Sequence, residues 1–182
     1  VNRMRPGALP DVLDEMRHAN VLRARYSKRQ LYELMVEFWS DHFNIGAEGK
    51  WWRYCKATDE AVYRAHALGK FSDMLLGSAR SVAMGLYLDN AHSDYDDGVN
   101  VNYGRVLLEL HPLGIIDGVQ AYTEEDVVQA AHVMAGWSLD WSSYTFQFKS
   151  YAHSPEAHQL LGGQWQRPER PGRDGEQDGV AK

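Results

Sequence analysis

The chain has 182 residues, of which 44% are hydrophobic and 24% charged, and its formal net charge is -6 at pH 7. This composition is typical of a globular protein and argues against a largely disordered chain. The negative charge argues against binding of nucleic acid through bulk positive charge, and no run of about 18 apolar residues predicts a transmembrane helix. No apolar stretch typical of a signal peptide follows the first basic residues.

Two helices are predicted at the start of the chain. The first covers Asp11 to Tyr26 after Pro10, and the second runs to about Asn44, with Ser27 and Gln30 in the pattern of a capping box. In the second helix, apolar residues recur at three- and four-residue spacing, which predicts a face turned toward the core. This predicted core face consists of Leu31, Leu34, Met35, Phe38 and His42.

Three more helices are predicted before residue 90. Thr58 is expected to cap a helix that ends near Leu68, and Gly69 suits the position after its end. A further helix is predicted over Phe71 to Ala79, and a short one from Ser81 to about Leu88.

The second half of the chain is predicted to add two helices and a small β element. A strongly apolar helix is expected from Asn102 to Leu113, and Thr123 with Asp126 is expected to cap a helix that reaches about Trp137. The alternation of aromatic and polar residues over Trp141 to Phe148 indicates a short strand or hairpin.

These elements predict a mainly α-helical fold. We expect one bundle-like helical domain over residues 1–163, with a minor β-hairpin or strand near its C-terminal end. From residue 164 onward, Pro, Gly, Arg, Glu and Asp become frequent, which predicts a disordered tail over 164–182.

His42 is the first polar residue on a predicted core face. An unsatisfied buried polar group costs about 1–3 kcal/mol, so a buried imidazole needs a hydrogen-bond partner or a metal ion. Either reading fits His42. His66 is expected to interact with the dipole at a helix end. Three further histidines, His132, His153 and His158, are expected at the surface.

The helix predicted from Asn102 to Leu113 is apolar around most of its circumference, which is typical of a buried helix. Its polar residues Asn102, Arg105 and Glu109 fall on one narrow stripe. That stripe is expected either to line a cavity or to form an internal ion-pair network. His111 lies two helical positions after Glu109 and therefore points to another side, so the two residues are not expected to bind one ion.

Five motifs carry a resemblance to a known family: FWSDHFN, RAHALGKFSDMLL, SVAMGLYLDN, NVNYGRVLLELHPLGI and YTEEDVVQAAHVMAGW. In wording and order they resemble the bacterial family called domain of unknown function 1800, from about Ser27 to about Gly162. Members of that family are usually more than twice this long and often exported. The resemblance therefore implies the central part of such a protein and an exported or periplasmic location.

The resemblance also implies a set of site residues, because they match the polar positions of the family's motifs. They are Asp41, His42, Asn44, His66, Asp89, Asn102, Tyr103, Arg105, Glu109 and His111. Two positions depart from the pattern, since Val101 and Val106 stand where the family usually has glutamates. Valine neither binds a metal ion nor carries a proton.

Two functions follow as hypotheses. The first is a metal-assisted enzyme with a His/carboxylate site in the helical core and a divalent metal ion as the candidate cofactor. Its expected metal ligands are His42, His66 and His111. Glu109 would be a ligand or general base, and Arg105 an anion clamp or ion-pair partner. Ligand-binding positions would be Asp41, Asn44, Asp89, Asn102 and Tyr103.

The second hypothesis is a non-catalytic scaffold or partner-binding protein of the cell envelope that has lost the family's acidic residues. Its aromatic residues suit a partner or a carbohydrate surface. Under either hypothesis we expect a homo-oligomer or a protein partner, and no nucleic acid.

Overall fold

The computed structural model describes residues 9–46, 55–111 and 113–167. The chain divides into two compact units, with the boundary between Tyr87 and Leu88. In the described ranges the structure is mainly helical, and its small two-stranded antiparallel sheets include one near the C-terminal end, as predicted. The bundle-like arrangement and the single domain over residues 1–163 stay predictions.

Five helices form the described part of the first unit. Each lies close to its predicted position, and Phe71–Ala79 matches its prediction at both ends. They are α1 (Leu9–Tyr26), α2 (Gln30–His42), α3 (Lys56–His66), α4 (Phe71–Ala79) and α5 (Val82–Tyr87).

The predicted core face of α2 is wrong for three of its five residues, whereas Met35 and His42 are half-buried. Leu31, Leu34 and Phe38 are 65%, 61% and 52% exposed, whereas Val36 on the opposite side is buried. Trp39 lies on that buried side, where its indole N–H donates to the carbonyl of Ala67 over 3.2 Å. The helix carries apolar residues around most of its circumference, so periodicity alone did not identify the side that packs against α3.

Two predicted helix caps are also wrong. Helix α2 begins at Gln30 after Arg29, and the Ser27 hydroxyl accepts from the backbone N–H of Arg29 at 3.1 Å rather than capping the helix. Helix α3 begins at Lys56, so Thr58 lies within its first turn. Ser and Thr near a helix start also form local turns that compete with capping.

The second unit combines two helices with three antiparallel hairpins. The helices are α6 (Val101–Glu109) and α7 (Glu124–Met134). The strands pair in chain order: β1 (Ile115–Ile116) with β2 (Val119–Gln120), β3 (Trp137–Asp140) with β4 (Thr145–Phe148), and β5 (His158–Leu160) with β6 (Trp165–Arg167).

Helices α6 and α7 pack closely because one residue of α6 has no side chain. A Cβ atom on Gly104 would lie 2.5 Å from the carbonyl oxygen of Val127 and 2.9 Å from the backbone nitrogen of Ala131. The predicted cap of α7 is confirmed: Thr123 and Asp126 form a reciprocal capping box. Tight backbone approach and a fixed helix start together define the core of this unit.

Helix α6 is not buried all round, which corrects the prediction. It buries Tyr103, Gly104 and Leu108, whereas Val101 and Asn102 are exposed. The helix also ends at Glu109, so His111 lies beyond it and the helical angle between these two residues does not apply. The packing against α7 covers only one side of α6.

The predicted hairpin near the C-terminal end exists with different bounds. Trp137 begins β3 instead of ending α7, and it pairs with Phe148. Residues 141–144 form the turn, so Trp141 and Tyr144 owe their spacing to the turn and not to a strand. Only Thr145–Phe148 has the alternation that the sequence suggested.

The segment predicted as a tail differs at its start, because Trp165–Arg167 forms β6 against β5. Residues 168–182 lie outside the described residues. In the described part of the chain, no helix has the length and apolar character needed to cross a membrane.

Candidate functional site

A polar recess of about 370 Å³ lies in the second unit, in the segment that precedes α6 and at the start of that helix. Its lining residues come from a single stretch of 15 positions. They are Leu88, Asp89, His92, Ser93, Gly98, Asn100 and Asn102. Two of them, Asp89 and Asn102, belong to the residues predicted to bind a ligand.

The backbone at Asp89 shapes one wall of this recess. Asp89 adopts the left-handed conformation (φ 63°, ψ 17°) and precedes a 3-10 turn over Asn90–His92. Aspartate tolerates this conformation better than most residues. The turn brings the Asp89 carboxylate to 2.7 Å from Nδ1 of His92. A carboxylate at Nδ1 fixes the orientation of the imidazole and the position of its proton.

The side-chain amides of Asn90 and Asn100 hold the remaining walls in place. The side chain of Asn100 accepts from the backbone N–H of Tyr103 at 2.9 Å, which caps α6, and donates to the carbonyl of Leu88 at 2.7 Å. Asn90 is buried and donates to the carbonyls of Met134 and Trp137. These bonds tie the loop to α6 and α7, so the recess is preformed.

An aromatic ledge borders the recess. The ring of His92 stacks on that of Trp141, with 5.0 Å between centroids and 30° between planes. Trp141 is 40% exposed. The ledge and the recess together offer a flat apolar surface beside a carboxylate, amides and a hydroxyl. That combination suits a ligand with both C–H faces and hydroxyl groups.

A second cavity, of about 270 Å³, lies in the first unit among α1, α2 and α3. Arg64 donates to both oxygens of Glu33 at 3.0 and 2.8 Å and approaches Glu60 at 3.5 Å. Arg23 reaches the same Glu60 oxygen at 3.0 Å. Asp41, predicted to bind a ligand, is an exposed residue of the cavity lining. The internal charges are paired with one another, which is typical of a structural network.

A buried carboxyl group lies beside this network. Asp59 is 1% exposed and accepts from the hydroxyl of Tyr63 at 2.7 Å. Burial raises the pKa of Asp59 to about 6, although the hydroxyls of Tyr63 and Ser81 and the charge of Lys56 favour its ionised form. The same hydroxyl of Tyr63 also donates to the carbonyl of Phe43 at 3.3 Å. Tyr63 therefore connects Asp59 of α3 to the end of α2.

The predicted metal ligands of the first unit lie in different surroundings. His42 ends α2 among aromatic rings, with its centroid 4.8 Å from that of Phe43 and 6.2 Å from that of Phe71. His66 is the last residue of α3, which agrees with its predicted place at a helix end, and its side chain is half-buried. Asn44 is exposed after α2.

The predicted catalytic residues of the second unit lie at the surface of α6. Arg105 forms a two-pronged ion pair with Glu124, with distances of 2.8 and 2.5 Å. The side chains are 39% and 71% exposed, so the predicted internal ion-pair network is wrong for Arg105. Burial and a hydrogen bond to Glu109 raise the pKa of the Tyr122 hydroxyl. Tyr103 is buried, which raises the pKa of its hydroxyl, and His111 is half-buried.

These positions do not assemble a metal centre within the described ranges. In those parts of the chain, no three or more His, Cys, Asp or Glu side chains are grouped so that they could hold an ion. The predicted ligands are also divided between the units, with His42 and His66 in the first and Glu109 and His111 in the second.

Two histidines predicted at the surface are buried. His153 contacts the carbonyl of Ala135 through Nδ1 at 2.6 Å. His158 contacts Ser154 at 2.7 Å through Nε2 and Gln129 at 2.7 Å through Nδ1. This resembles a nucleophile with its base, but Ser154 is 1% exposed and His158 2%, so substrate has no access. The group is structural, and helical periodicity did not apply because these residues lie in a loop and a strand.

His92 is the site residue that sequence reasoning missed. Its signal is the spacing Asp89-x-x-His92, which a tight turn converts into a carboxylate–imidazole pair. The motif SVAMGLYLDN ends two residues before His92 and does not include it.

Comparisons with known proteins identify a family and nothing more specific. The sequence model described as "Protein of unknown function (DUF1800)" matches residues 4–181, which is nearly the whole chain. No curated protein and no solved structure gives a significant match.

Proposed function

Because this chain belongs to the DUF1800 family of proteins of unknown function, we propose a function from the site itself: the second unit binds an uncharged, polyhydroxylated ligand such as a glycan, without converting it chemically. The observation that carries the proposal is the Asp89–His92 pair beside the exposed ring of Trp141. It develops the non-catalytic hypothesis and gives it a ligand class.

The side chains of the recess favour a neutral ligand. None of the seven lining residues is Lys or Arg, and Asp89 contributes a negative charge. A phosphate or carboxylate group would meet repulsion there, since anion sites use arginine, lysine or clustered backbone N–H groups. Hydroxyl groups both donate and accept, so they can pair with a carboxylate, an imidazole and an amide at once.

The contacts within the recess separate structural residues from ligand-binding ones. The side-chain amide of Asn100 is hydrogen-bonded to the backbone of Tyr103 and Leu88. The Ser93 hydroxyl accepts from the backbone N–H of Asn100 at 3.0 Å. Asp89, His92 and Asn102 are exposed. We assign ligand contact to these three residues, with Trp141 as the stacking surface.

The test is saturation-transfer NMR on the full chain with a mixture of neutral disaccharides: maltose, cellobiose, lactose and diacetylchitobiose. We expect transfer to at least one of them. His92→Ala or Asp89→Asn should lower its affinity about tenfold, the loss expected when a hydrogen bond to a charged group is removed.

The matched control is Tyr151→Ala, because Tyr151 is an exposed aromatic residue of the same unit outside the recess. Its binding should equal that of the unchanged protein. Transfer that persists in both recess variants would contradict the proposal, and so would the absence of transfer to every sugar from a folded sample.

The metal-assisted enzyme is the second candidate. The observation in its favour is again Asp89 at Nδ1 of His92, since histidines that bind metal commonly donate their other ring N–H to a carboxylate. Metal analysis of the purified full chain after incubation with zinc, iron, manganese or calcium tests it. Near-stoichiometric metal that falls in His42→Ala, His92→Ala or His111→Ala would support this candidate, and metal-free protein would count against it.

The sequence also predicts self-association or a protein partner. That prediction concerns the chain as a whole and does not depend on the ligand of the recess.

A further inference from the structure

The turn between β3 and β4 carries the aromatic ledge of the candidate site. The two strands pair in register up to Asp140 and Thr145, so residues 141–144 connect them. Trp141 is the first residue of this turn, is 40% exposed and stacks on His92 with 5.0 Å between ring centroids. Turns at the surface move more than the strands they connect. An indole on such a turn therefore keeps one position only if the turn itself is fixed.

The base of the hairpin is bonded to the segment that carries His92. The hydroxyl of Ser138 in β3 is buried and donates to the carbonyl of Ala91 at 2.6 Å. The backbone N–H of Gly136, just before β3, donates to the carbonyl of Ser93 at 3.0 Å. Ala91 and Ser93 lie on either side of His92. The backbone of the imidazole is thus fixed relative to β3, and the course of the chain after β3 decides where the indole lies.

The carboxylate of Asp140 fixes that course. One of its oxygens accepts from the backbone N–H of Ser142 at 2.8 Å, from the Ser142 hydroxyl at 2.6 Å and from the backbone N–H of Ser143 at 3.4 Å. A carboxylate bonded to the backbone two residues ahead forms an Asx turn. The hydroxyl and the backbone N–H of Ser142 lower the pKa of Asp140 to about 2, so this group is ionised at neutral pH. Because Trp141 lies between Asp140 and Ser142, its backbone is held from both sides.

The far end of the turn closes on Asp140 as well. The backbone N–H of Tyr144 donates to the carbonyl of Asp140 at 2.8 Å, and Tyr144 adopts the left-handed conformation with φ 52°. This conformation is uncommon for a tyrosine and persists where the surrounding structure imposes it. Asp140 therefore holds the start of the turn through its side chain and the end of the turn through its backbone.

We propose that Asp140 is a positioning residue of the recess: its side chain sets the turn so that the indole of Trp141 stands against His92 in the ligand-free protein. Asp140 is not among the lining residues of the recess, so it acts through Trp141. The proposal rests on the proposed function, in which Trp141 is the stacking surface for a neutral, hydroxylated ligand. A surface that is already in place loses less conformational freedom when the ligand binds.

Proton NMR of the ligand-free full chain tests the positioning. The imidazole protons of His92, assigned by their loss in His92→Ala, should be shifted by the ring current of the stacked indole. Trp141→Ala gives their positions without that indole. Asp140→Ala should move these signals most of the way to the Trp141→Ala positions. Asp140→Asn retains an oxygen that can accept from Ser142 and should leave them close to those of the unchanged protein.

A folded hairpin and a matched control make this result specific. Amide protection of β3 and β4, measured by hydrogen exchange, should be unchanged in Asp140→Ala. Asp117→Asn removes an exposed carboxylate from the turn between β1 and β2 and should leave the His92 signals in place. Signals that stay in place in Asp140→Ala with the hairpin folded would overturn the proposal. If that variant loses the hairpin, Ser142→Ala, which removes only the hydroxyl bond, should move the signals in the same direction by less, and unmoved signals would overturn the proposal.

Disaccharide binding separates this inference from the function on which it rests. Asp140→Ala should lower the affinity measured by saturation transfer about fivefold, as expected when an aromatic stacking surface is displaced, and Asp140→Asn should bind like the unchanged protein. Full affinity in Asp140→Ala would overturn the role of Asp140 in binding. If no sugar bound the unchanged protein, the proposed function would fail, while the His92 signals would still decide whether Asp140 positions Trp141.

Discussion

The two units differ in where their ion pairs lie. In the first unit, Arg64 joins Glu33 and Glu60 among the helices, while Leu34 and Phe38 of α2 face solvent. In the second unit, apolar residues fill the space between α6 and α7, and the ion pair of Arg105 and Glu124 lies at the surface.

This contrast bears on where a ligand can bind. Both units bury apolar residues, such as Phe43 in the first and Val127 in the second. In the first unit the charged groups of the cavity are paired with one another, whereas in the second unit Asp89, His92 and Asn102 of the recess are exposed. We therefore propose ligand binding for the second unit and a structural role for the charge network of the first.

The largest expected effect is at the α6–α7 contact. Gly104→Leu should destabilise the second unit by more than about 3 kcal/mol, because even a Cβ atom would lie 2.5 Å from the carbonyl of Val127. Loss of amide protection in α7, measured by hydrogen exchange, would show it. Asn102→Ala, on the exposed side of the same helix, is the control and should leave that protection unchanged.

The buried carboxyl of Asp59 should make the first unit respond to pH. Its pKa is raised from 3.8 to about 6 by burial, so the folded state binds a proton that the unfolded state binds only at lower pH. Stability from this group is complete below about pH 4 and is lost as the pH rises through about 6, by about 3 kcal/mol in total.

Hydrogen exchange of the α3 amides across that pH window measures the effect. Asp59→Asn should remove the dependence, whereas Asp73→Asn, an exposed aspartate of α4, should keep it. If the stability of the first unit changed with pH over this window equally in the unchanged protein and in Asp59→Asn, Asp59 would not be the responsible group.

The two ion pairs should differ in their contribution to stability. Arg64→Met should cost the first unit about 1–2 kcal/mol, because it leaves the largely buried carboxylate of Glu33 without its partner. Arg105→Met should have no measurable effect, because the Arg105–Glu124 pair is exposed. Urea denaturation of both variants compares them, and equal losses would contradict the contrast between the units.

The smallest expected effect concerns helix caps. Thr123→Ala should cost about 1 kcal/mol, because Thr123 accepts from the backbone N–H of Asp126 in a complete capping box. Ser27→Ala should cost much less, since Ser27 does not cap α2. Thr123→Ala should lower the midpoint of thermal unfolding more than Ser27→Ala does. The reverse result would show that Ser27 caps α2.

Much of the fold was predictable from local sequence signals. Helix α4 and the cap of α7 follow from periodicity and from the spacing of Thr123 and Asp126. The orientation of α2 was not predictable, because Val36 and Trp39 on one side are as apolar as Leu34 and Phe38 on the other. Only the contact with α3 decides between them, and that contact joins residues distant in sequence.

The candidate site was predictable only in part. The motif ending at Asp89 and Asn90 indicated the right region, and Asn102 lies in the recess as well. His92 depends on the left-handed backbone at Asp89, and its stacking on Trp141 depends on the turn between β3 and β4. Neither feature has a spacing that identifies it before the chain is folded.

The most direct test of this division of tasks is an amide NMR titration of the full chain with the same neutral disaccharides. The account predicts shifts at residues 88–102 and at the indole of Trp141, while the amides of Leu31, Leu34 and Phe38 stay unchanged. Shifts at Leu31, Leu34 and Phe38 without any in the recess, or no shifts at all, would contradict it.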